Sequence, residues 1–235
     1  MLEFQQVVKY YGVGDGEPVH AVDGVSLSLN KGELLALYGP SGSGKTTLLL
    51  IAAALLTPDS GSVIVNGRDL SSLSEKEASS YRLQEIGLVR QSFNLLAGAS
   101  TIDNAALKLF GTGASKTAAH RRVAPLLQRL GLEGRLDHRG RQLSMGERQR
   151  VMIARALSTE PSLVLADEPT GSLDSERGRE VLGLLCELCR ERELTVLLVT
   201  HDAQAAKFAD RVCALRDGRL VEYEPDLTLA ATDAR

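Results

Sequence analysis

Residues 34–46 read Leu-Leu-Ala-Leu-Tyr-Gly-Pro-Ser-Gly-Ser-Gly-Lys-Thr. The apolar run that starts at Leu34 is typical of a strand buried on both faces, and a helix is predicted from Lys45 to about Leu56. Between them, Gly39–Thr46 fit the spacing G-x-x-x-x-G-K-[ST]. A buried strand, a glycine-rich turn and a helix in this order predict a loop whose backbone N–H groups surround a phosphate chain.

The residue types around this loop predict nucleotide chemistry. Lys45 supplies a positive charge for the β- and γ-phosphates, and the Thr46 hydroxyl is placed to bind Mg²⁺. Asp167 and Glu168 follow a second apolar strand, so one carboxylate can serve the metal while the other orients and deprotonates an attacking water. A solvated acidic turn before Pro169 is the alternative. The predicted nucleotide-binding residues here are Gly39, Pro40, Ser41, Gly42, Ser43, Gly44, Lys45, Thr46 and Thr47.

The overall composition excludes several classes of protein. The chain has 235 residues, a net charge of −3 and 43% hydrophobic residues, which is average for a globular protein and unlike a disordered one. Its longest apolar run, Leu48–Leu56, is nine residues, whereas a membrane span needs roughly 18. A pI near 5.9 argues against a general nucleic-acid binder.

One cysteine pair could indicate a metal or redox site. Cys186 and Cys189 form C-x-x-C, but the sequence has no second C-x-x-C or H-x3-H pair, and a structural zinc needs four ligands. The two cysteines also share the apolar face of a predicted helix. They are therefore predicted to be core residues.

Strands and helices alternate along the chain in a way that predicts an α/β core divided by a helical insertion. The predicted strands are Leu2–Phe4, Val25–Leu29, Leu163–Ala166 and Leu194–Val199, and the predicted helices include Ser115–Leu130 and Glu180–Arg192. Pro125 lies inside the first of these helices and predicts a kink or a later start. Asn66-Gly67 and Asp217-Gly218 predict tight hairpin turns. We expect one domain over 1–235, with a catalytic core at 1–91 and 161–223, a helical part at 92–160 and a loosely ordered tail at 224–235.

Several further segments resemble ATP-binding cassette (ABC) proteins. Leu143–Glu147, which read Leu-Ser-Met-Gly-Glu, resemble the signature motif, and Ser172-Leu173-Asp174 the D-loop. Gln91 matches the Q-loop glutamine and His201 the switch histidine. Tyr11 matches the aromatic residue that stacks on adenine, with Tyr10 as the other candidate. These matches follow the family's order from Leu2 to Glu222.

The resemblance implies a P-loop NTPase (RecA-like) core with an antiparallel β part and a helical signature part. It further implies ATP hydrolysis by a head-to-tail dimer with two Mg-ATP between the subunits. Ser144 and Gly146 would reach the γ-phosphate held by the opposite subunit, and His201 would hold the γ-phosphate. The implied catalytic residues are Glu168, His201, Lys45 and Gln91, and the implied Mg²⁺ ligands are Thr46, Gln91 and Asp167.

The resemblance is nearest to the subgroup of lipoprotein release, macrolide and peptide export, and cell division. Gly67–Leu70, Gln91–Leu96 and Ala166–Gly171 carry this similarity. It implies a separate transmembrane permease subunit as partner and a homodimer or heterodimer of nucleotide-binding subunits. No nucleic-acid partner is expected, and the implied location is the cytoplasm, peripheral on the cytoplasmic face of the cell membrane.

Two other functions remain as alternatives. The first is an ABC-type clamp that acts on nucleic acid or the ribosome, although such proteins usually have two cassettes or a coiled-coil insertion. The second is a small P-loop kinase, which would give no role to Ser144, Gly146 or His201.

The sequence departs from the family pattern at two positions. Met145 replaces the first glycine of the signature, and it would be strained if this position required a positive φ. Arg90 stands where the family commonly has an aromatic residue before Gln91. Since Lys45, Thr46 and Glu168 are present, activity is still expected.

Overall fold

Strands and helices alternate along most of the chain in the computed structural model, which describes residues 1–12, 18–92 and 94–223. The strands are β1 (Leu2–Tyr11), β2 (Val19–Leu29), β3 (Leu34–Tyr38), β4 (Ser60–Val65), β5 (Arg68–Asp69), β6 (Ile86–Arg90), β7 (Leu163–Asp167), β8 (Thr195–Thr200), β9 (Arg211–Arg216) and β10 (Arg219–Val221). The helices are α1 (Lys45–Ala52), α2 (Glu75–Gln84), α3 (Thr101–Gly111), α4 (Lys116–Arg129), α5 (Met145–Leu157), α6 (Ser175–Glu191) and α7 (Ala203–Ala206). The chain divides into two units, Met1–Ser72 with Leu197–Arg235, and Leu73–Val196. The tail expected at 224–235 lies outside the described residues.

The first unit contains the predicted antiparallel sheet, in the order β2-β1-β4-β5. β1 pairs antiparallel with β2 and with β4, and alternate residues such as Leu2 and Phe4 are buried. Asn66 and Gly67 join β4 to β5 with φ of 50° and 79°, the conformation of a tight hairpin turn. The turn predicted from Asn-Gly is confirmed.

In the first unit, β3 lies between β9 and the part of β8 from Leu197 onward. β3 runs parallel to β9, and Leu34–Leu37 are at most 2% exposed, as predicted for an apolar strand covered on both faces. The β9–β10 hairpin turns at Asp217 and Gly218, with φ of 50° and 76°. β3 therefore delivers the chain from the middle of a buried sheet into the glycine-rich loop.

The second unit combines a parallel strand pair with helices. β6 pairs parallel with β7 in the register that places Arg90 opposite Asp167. Helices α3, α4 and α5 contact one another, and α5 also contacts α6 and β6. The segment predicted to be helical, 92–160, lies wholly in this unit, together with α2, β6, β7 and α6.

The observed ends of three helices can be compared with the predicted ones. α1 ends at Ala52 rather than Leu56, because Ala54 adopts a left-handed φ of 49°. α6 begins at Ser175, before the predicted Glu180, because the Asp174 carboxylate accepts from the N–H of Arg177 and caps a polar first turn. α4 begins at Lys116 with Pro125 inside it, so the later start expected from Pro125 is not observed.

The cysteine pair lies in the core, as predicted. Cys186 and Cys189 are 2% and 1% exposed, and burial raises the pKa of Cys189 to about 12. Within 1–12, 18–92 and 94–223, no group of three or more His, Cys, Asp or Glu could hold a metal ion. The helices of these residues include none that is both long enough and apolar enough to span a membrane.

Candidate active site

The glycine-rich loop is fixed at both ends by backbone contacts within the first unit. The N–H of Gly39 donates to the carbonyl of Thr200, 3.3 Å away, and the carbonyl of Ser43 accepts from the N–H of Gly218 at 3.1 Å. Gly44 adopts a φ of 101°, and a Cβ there would overlap the carbonyl oxygen of Ala21. Only glycine fits this position, so the spacing of the motif follows from the backbone path.

Lys45 folds back over the loop that precedes it. Its side chain is 5% exposed, and Nζ donates to the carbonyl oxygens of Gly39 and Pro40, both at 2.8 Å. The ammonium group is therefore held on the inner side of the loop, where it can meet a phosphate oxygen. Thr46, the next residue, is exposed, and Thr47 is partly buried.

The N-terminus of α1 has no side-chain cap and no acidic residue in its first turn. The other α-helices within the described part of the chain all have a capping side chain, from Ser74, Ser100, Ser115, Ser144, Asp174 and Asp202. Because first-turn N–H groups and the helix dipole favour an anion, the uncapped start of α1 is suited to a phosphate.

His201 lies next to this loop. It directly follows β8, whose last residue, Thr200, accepts the hydrogen bond from Gly39. Ser41 and Gly42 form the exposed tip of the loop. The first unit therefore brings together the predicted phosphate residues and the predicted switch histidine.

The second unit brings together Gln91, Asp167 and Glu168. Arg90 pairs with Asp167 across β6 and β7, so Gln91 and Glu168 both follow directly after paired strand ends. Asp167 is 7% exposed, while Glu168 is partly exposed with a φ of 46°. The chain leaves the extended conformation at Glu168. L-residues rarely adopt a positive φ, and such conformations are found at functional sites.

A contact of Gln91 was not foreseen from the sequence. A Cβ on Gly171 would lie 2.7 Å from Nε2 of Gln91, and the Ser172 hydroxyl donates to the Gln91 carbonyl at 3.4 Å. The predicted Q-loop and D-loop residues therefore touch directly. A side chain at position 171 would therefore move the Gln91 amide from its present place.

Ser144 and Gly146 lie at the N-terminus of α5 in the second unit. Ser144 is the N-cap residue, and α5 begins at Met145. A Cβ on Gly146 would meet no atom within 4 Å. Met145 is 50% exposed and is absent from the residues with positive φ, so the strain considered for this departure from the family pattern does not occur.

The two candidate aromatic residues differ in their surroundings, although both are 43% exposed. The Tyr10 ring lies 5.3 Å from the His20 ring, centre to centre. Tyr11, at the end of β1, is paired with Val19 through the backbone and has no ring contact within the described residues. Neither arrangement excludes the other ring, so Tyr11 stays the predicted adenine-stacking residue and Tyr10 the other candidate.

Comparisons with known proteins agree on one family. The sequence profile described as ABC transporter matches residues 22–171. The chain is 44% identical over 226 residues to the lipoprotein-releasing system ATP-binding protein LolD 2 of Chlorobaculum tepidum, covering 94% of this chain and 91% of that protein. It is 40% identical to the ABC transporter ATP-binding protein YtrE of Bacillus subtilis over 94% of this chain and 96% of that protein.

A larger protein and two solved structures complete the comparison. The macrolide export ATP-binding/permease protein MacB of Rhodopirellula baltica is 44% identical over 94% of this chain, which spans 33% of MacB. The dimeric structure of the ABC transporter cassette MJ0796 is 37% identical with a TM-score of 0.88, over 95% of this chain and 98% of that one. Its dimeric post-hydrolysis structure, bound to ADP and Pi, is 36% identical with a TM-score of 0.87 over the same shares.

Proposed function

We infer the function from the family, because this chain belongs to the ABC transporter family and is an ATP-binding subunit that hydrolyses ATP. We propose that two such subunits close head to tail around two Mg-ATP. This closure drives a separate transmembrane permease subunit. The observation that carries the proposal is the phosphate loop, with Lys45 folded into it and the uncapped start of α1 behind it. Each loop would hold one ATP, with Tyr11 stacked on the adenine.

The residues present suit a magnesium ion. Proteins usually bind Mg²⁺ through one or two carboxylates together with substrate phosphates and waters, and Asp167 supplies a carboxylate, 7% exposed, at the end of β7. Asp167, Thr46 and Gln91 are the proposed ligands. When bound, the ion would neutralise charge on the β- and γ-phosphates.

The remaining residues are assigned to hydrolysis and closure. Glu168 would accept a proton from the attacking water. Its unusual φ of 46° sets the direction in which its side chain leaves the backbone. His201 would hold the γ-phosphate. Ser144 and the N-terminal amides of α5, including that of Gly146, would bind the γ-phosphate held by the opposite subunit, because a helix N-terminus binds anions. Closure then depends on the γ-phosphate, and hydrolysis reopens the dimer.

The experiment that tests this function is Glu168→Gln. We expect ATP hydrolysis to be lost while ATP binding persists, and we expect the variant to form dimers with ATP on gel filtration, measured also with the permease bound. Glu133→Gln is the matched control, because Glu133 is an exposed glutamate in a short 3-10 turn of the same unit. Hydrolysis at the wild-type rate would remove Glu168 from this role, and a monomer with ATP and partner present would contradict the closing dimer.

We further propose that the permease binds a groove in the second unit, on the cytoplasmic face of the membrane. The groove has a volume of about 580 Å³, and the described residues that line it include apolar side chains and Arg82, Arg90, Lys108 and Arg155 but no acidic residue. Arg82 pairs with Glu75 at 2.6 Å. Burial lowers the pKa of Lys108 to about 8 and also lowers that of Arg155. Lys108 Nζ donates to the Ile86 carbonyl at 2.6 Å and to the Thr159 hydroxyl at 3.1 Å, and Arg155 donates to Asn104 and to the Asn94 carbonyl, so within the described residues both are held by neutral acceptors rather than by a carboxylate.

These charges specify the partner segment. Desolvated cations without a counter-ion favour an anion, so we propose a helical segment of the permease that carries a carboxylate. A photo-crosslinker at Ser79, which lines the groove, should attach to a protein with transmembrane segments that copurifies in detergent. The same probe at the adjacent exposed Ser80, which does not line the groove, should not. Attachment at Ser79 to nucleic acid instead would favour the clamp function.

A further inference from the structure

The N-terminus of α5 carries its own negative charge. The Ser144 hydroxyl accepts from the N–H of Glu147 at 3.2 Å, and Oε2 of Glu147 accepts from the N–H of Ser144 at 2.8 Å. This reciprocal arrangement stabilises the helix. It also places a carboxylate in the turn that, in the proposed function, must attract a γ-phosphate.

The Glu147 carboxylate is ionised. Its negative charge must therefore be offset by a positive group if the start of α5 is to attract a phosphate. Hydrogen bonds lower the pKa of Glu147 below its usual range: the one from the Ser144 N–H has the larger effect, and the one from Arg135 a smaller one. Glu147 is also the acidic residue of the first turn of α5. An uncompensated charge at this position would repel a phosphate approaching the same turn.

Arg135 supplies a countercharge from a separate segment. It ends a short 3-10 turn, Glu133–Arg135, and its Nε donates to Oε1 of Glu147 at 2.9 Å. The Glu147 side chain is 19% exposed and that of Arg135 48% exposed. The two carboxylate oxygens are thus divided, one to the Ser144 backbone and one to the guanidinium.

We propose that Arg135 is a positioning residue of the signature motif: its guanidinium cancels the charge of Glu147 and holds that carboxylate on the Ser144 backbone, so that the start of α5 attracts the γ-phosphate of the opposite subunit. The proposal rests on the proposed function of Ser144 and Gly146. The Ser144 hydroxyl accepts from the N–H of Glu147 and also hydrogen-bonds to the Glu147 carboxylate, so in the proposed function it turns its hydrogen from that carboxylate to a phosphate oxygen while a lone pair still accepts from Glu147.

A purely structural role for Arg135 makes a different prediction from an electrostatic one. If Arg135 only ties the 3-10 turn to α5, then removing the Glu147 charge cannot repair its loss. If Arg135 cancels a charge, then Glu147→Gln should repair it, because a glutamine side-chain oxygen still accepts from the Ser144 N–H.

The experiment uses the full chain with Glu168→Gln as the common background and measures the ATP concentration for half-maximal dimerisation. Arg135→Gln should raise this concentration by roughly tenfold, and added salt should reduce the difference. In the double variant with Glu147→Gln, the concentration should return to within about twofold of that of Glu147→Gln alone. Arg135→Lys, which keeps the charge, should recover most of the loss.

The controls separate this inference from the proposed function. Arg129→Gln removes an exposed arginine that pairs with Glu187 and Glu191 in the same unit, and it should leave dimerisation unchanged. ATP binding to the monomer should be unaffected by Arg135→Gln. If dimerisation is not restored in the double variant, only the role proposed for Arg135 is overturned. If Ser144→Ala dimerises normally, the proposed role of the signature motif is overturned.

Discussion

The N-termini of α1 and α5 are both proposed to bind the phosphate end of ATP, and they are built in opposite ways. α1 begins without a side-chain cap and without an acidic residue in its first turn. α5 begins with a serine cap, a reciprocal glutamate and an arginine that offsets the glutamate. The first offers an anion a lysine and first-turn N–H groups that no side chain caps. The second satisfies part of its hydrogen-bonding need with its own side chains.

This difference assigns an order to the two sites. The start of α1, with Lys45 beside it, can bind a nucleotide in an isolated subunit because its first turn has no side-chain cap and no acidic residue. The start of α5 has a weaker net attraction and is expected to engage only a phosphate that another subunit already holds. A strong first site and a weaker second site give a dimer that opens once the γ-phosphate is lost.

The largest effect is expected from removing the charge of the stronger site. Lys45→Ala should weaken ATP binding about 100-fold, the equivalent of about 3 kcal/mol for a charge-assisted hydrogen bond, and should abolish dimerisation. Equilibrium titration with a fluorescent ATP analogue measures this. Lys31→Ala, which removes an exposed lysine from a turn of the same unit, is the control, and equal affinities of the two variants would contradict the assignment.

Removing the cap of the weaker site should act on closure rather than on binding. Ser144→Ala should leave monomer ATP affinity unchanged and raise the ATP concentration for dimerisation about 30-fold, since the dimer loses two charge-assisted bonds. Loss of the cap should also lower stability by about 1 kcal/mol. Ser115→Ala removes the equivalent cap from α4 and should reproduce only the stability loss; if it also impaired dimerisation, helix fraying would explain both.

The comparison can be reversed by giving α1 the acidic residue of α5. Thr47 occupies the third helical position of α1, as Glu147 does in α5. Thr47→Glu should stabilise the helix by about 0.5 kcal/mol through the dipole yet weaken ATP binding about tenfold by repulsion. Thr47→Gln is the uncharged control. An ATP affinity equal to that of the control would mean that a first-turn charge does not matter, and the inference about Arg135 would lose its basis.

Features set by neighbouring residues were predictable from the sequence. β3 and the start of α1 follow from an apolar run and a glycine-rich spacing, and the hairpins at Asn66-Gly67 and Asp217-Gly218 follow from residues that tolerate positive φ. Each depends on backbone conformations that few residue types adopt, so the sequence itself carries the constraint.

Features set by contacts between distant segments were not predictable. Gly171 meets Gln91 only because β6 and β7 pair in parallel, and Arg135 meets Glu147 because a 3-10 turn returns to the start of α5. The start of α6 was also misplaced, since its polar first turn shows no apolar periodicity and only the Asp174 cap marks it. Charge pairing and close approach depend on the folded path rather than on local spacing.

The smallest effect is expected at the position where the sequence departs most visibly from the family. Met145 takes the first helical position of α5 with no positive φ and with half of its surface exposed, so glycine would gain no conformational advantage there. Met145→Gly should lower stability by about 0.5–1 kcal/mol because glycine disfavours helices, and turnover should stay within about threefold. Thermal unfolding and steady-state ATPase measurements check both. A gain in turnover of tenfold or more would mean that methionine does restrict the start of α5, through its bulk at the closing surface rather than through its backbone.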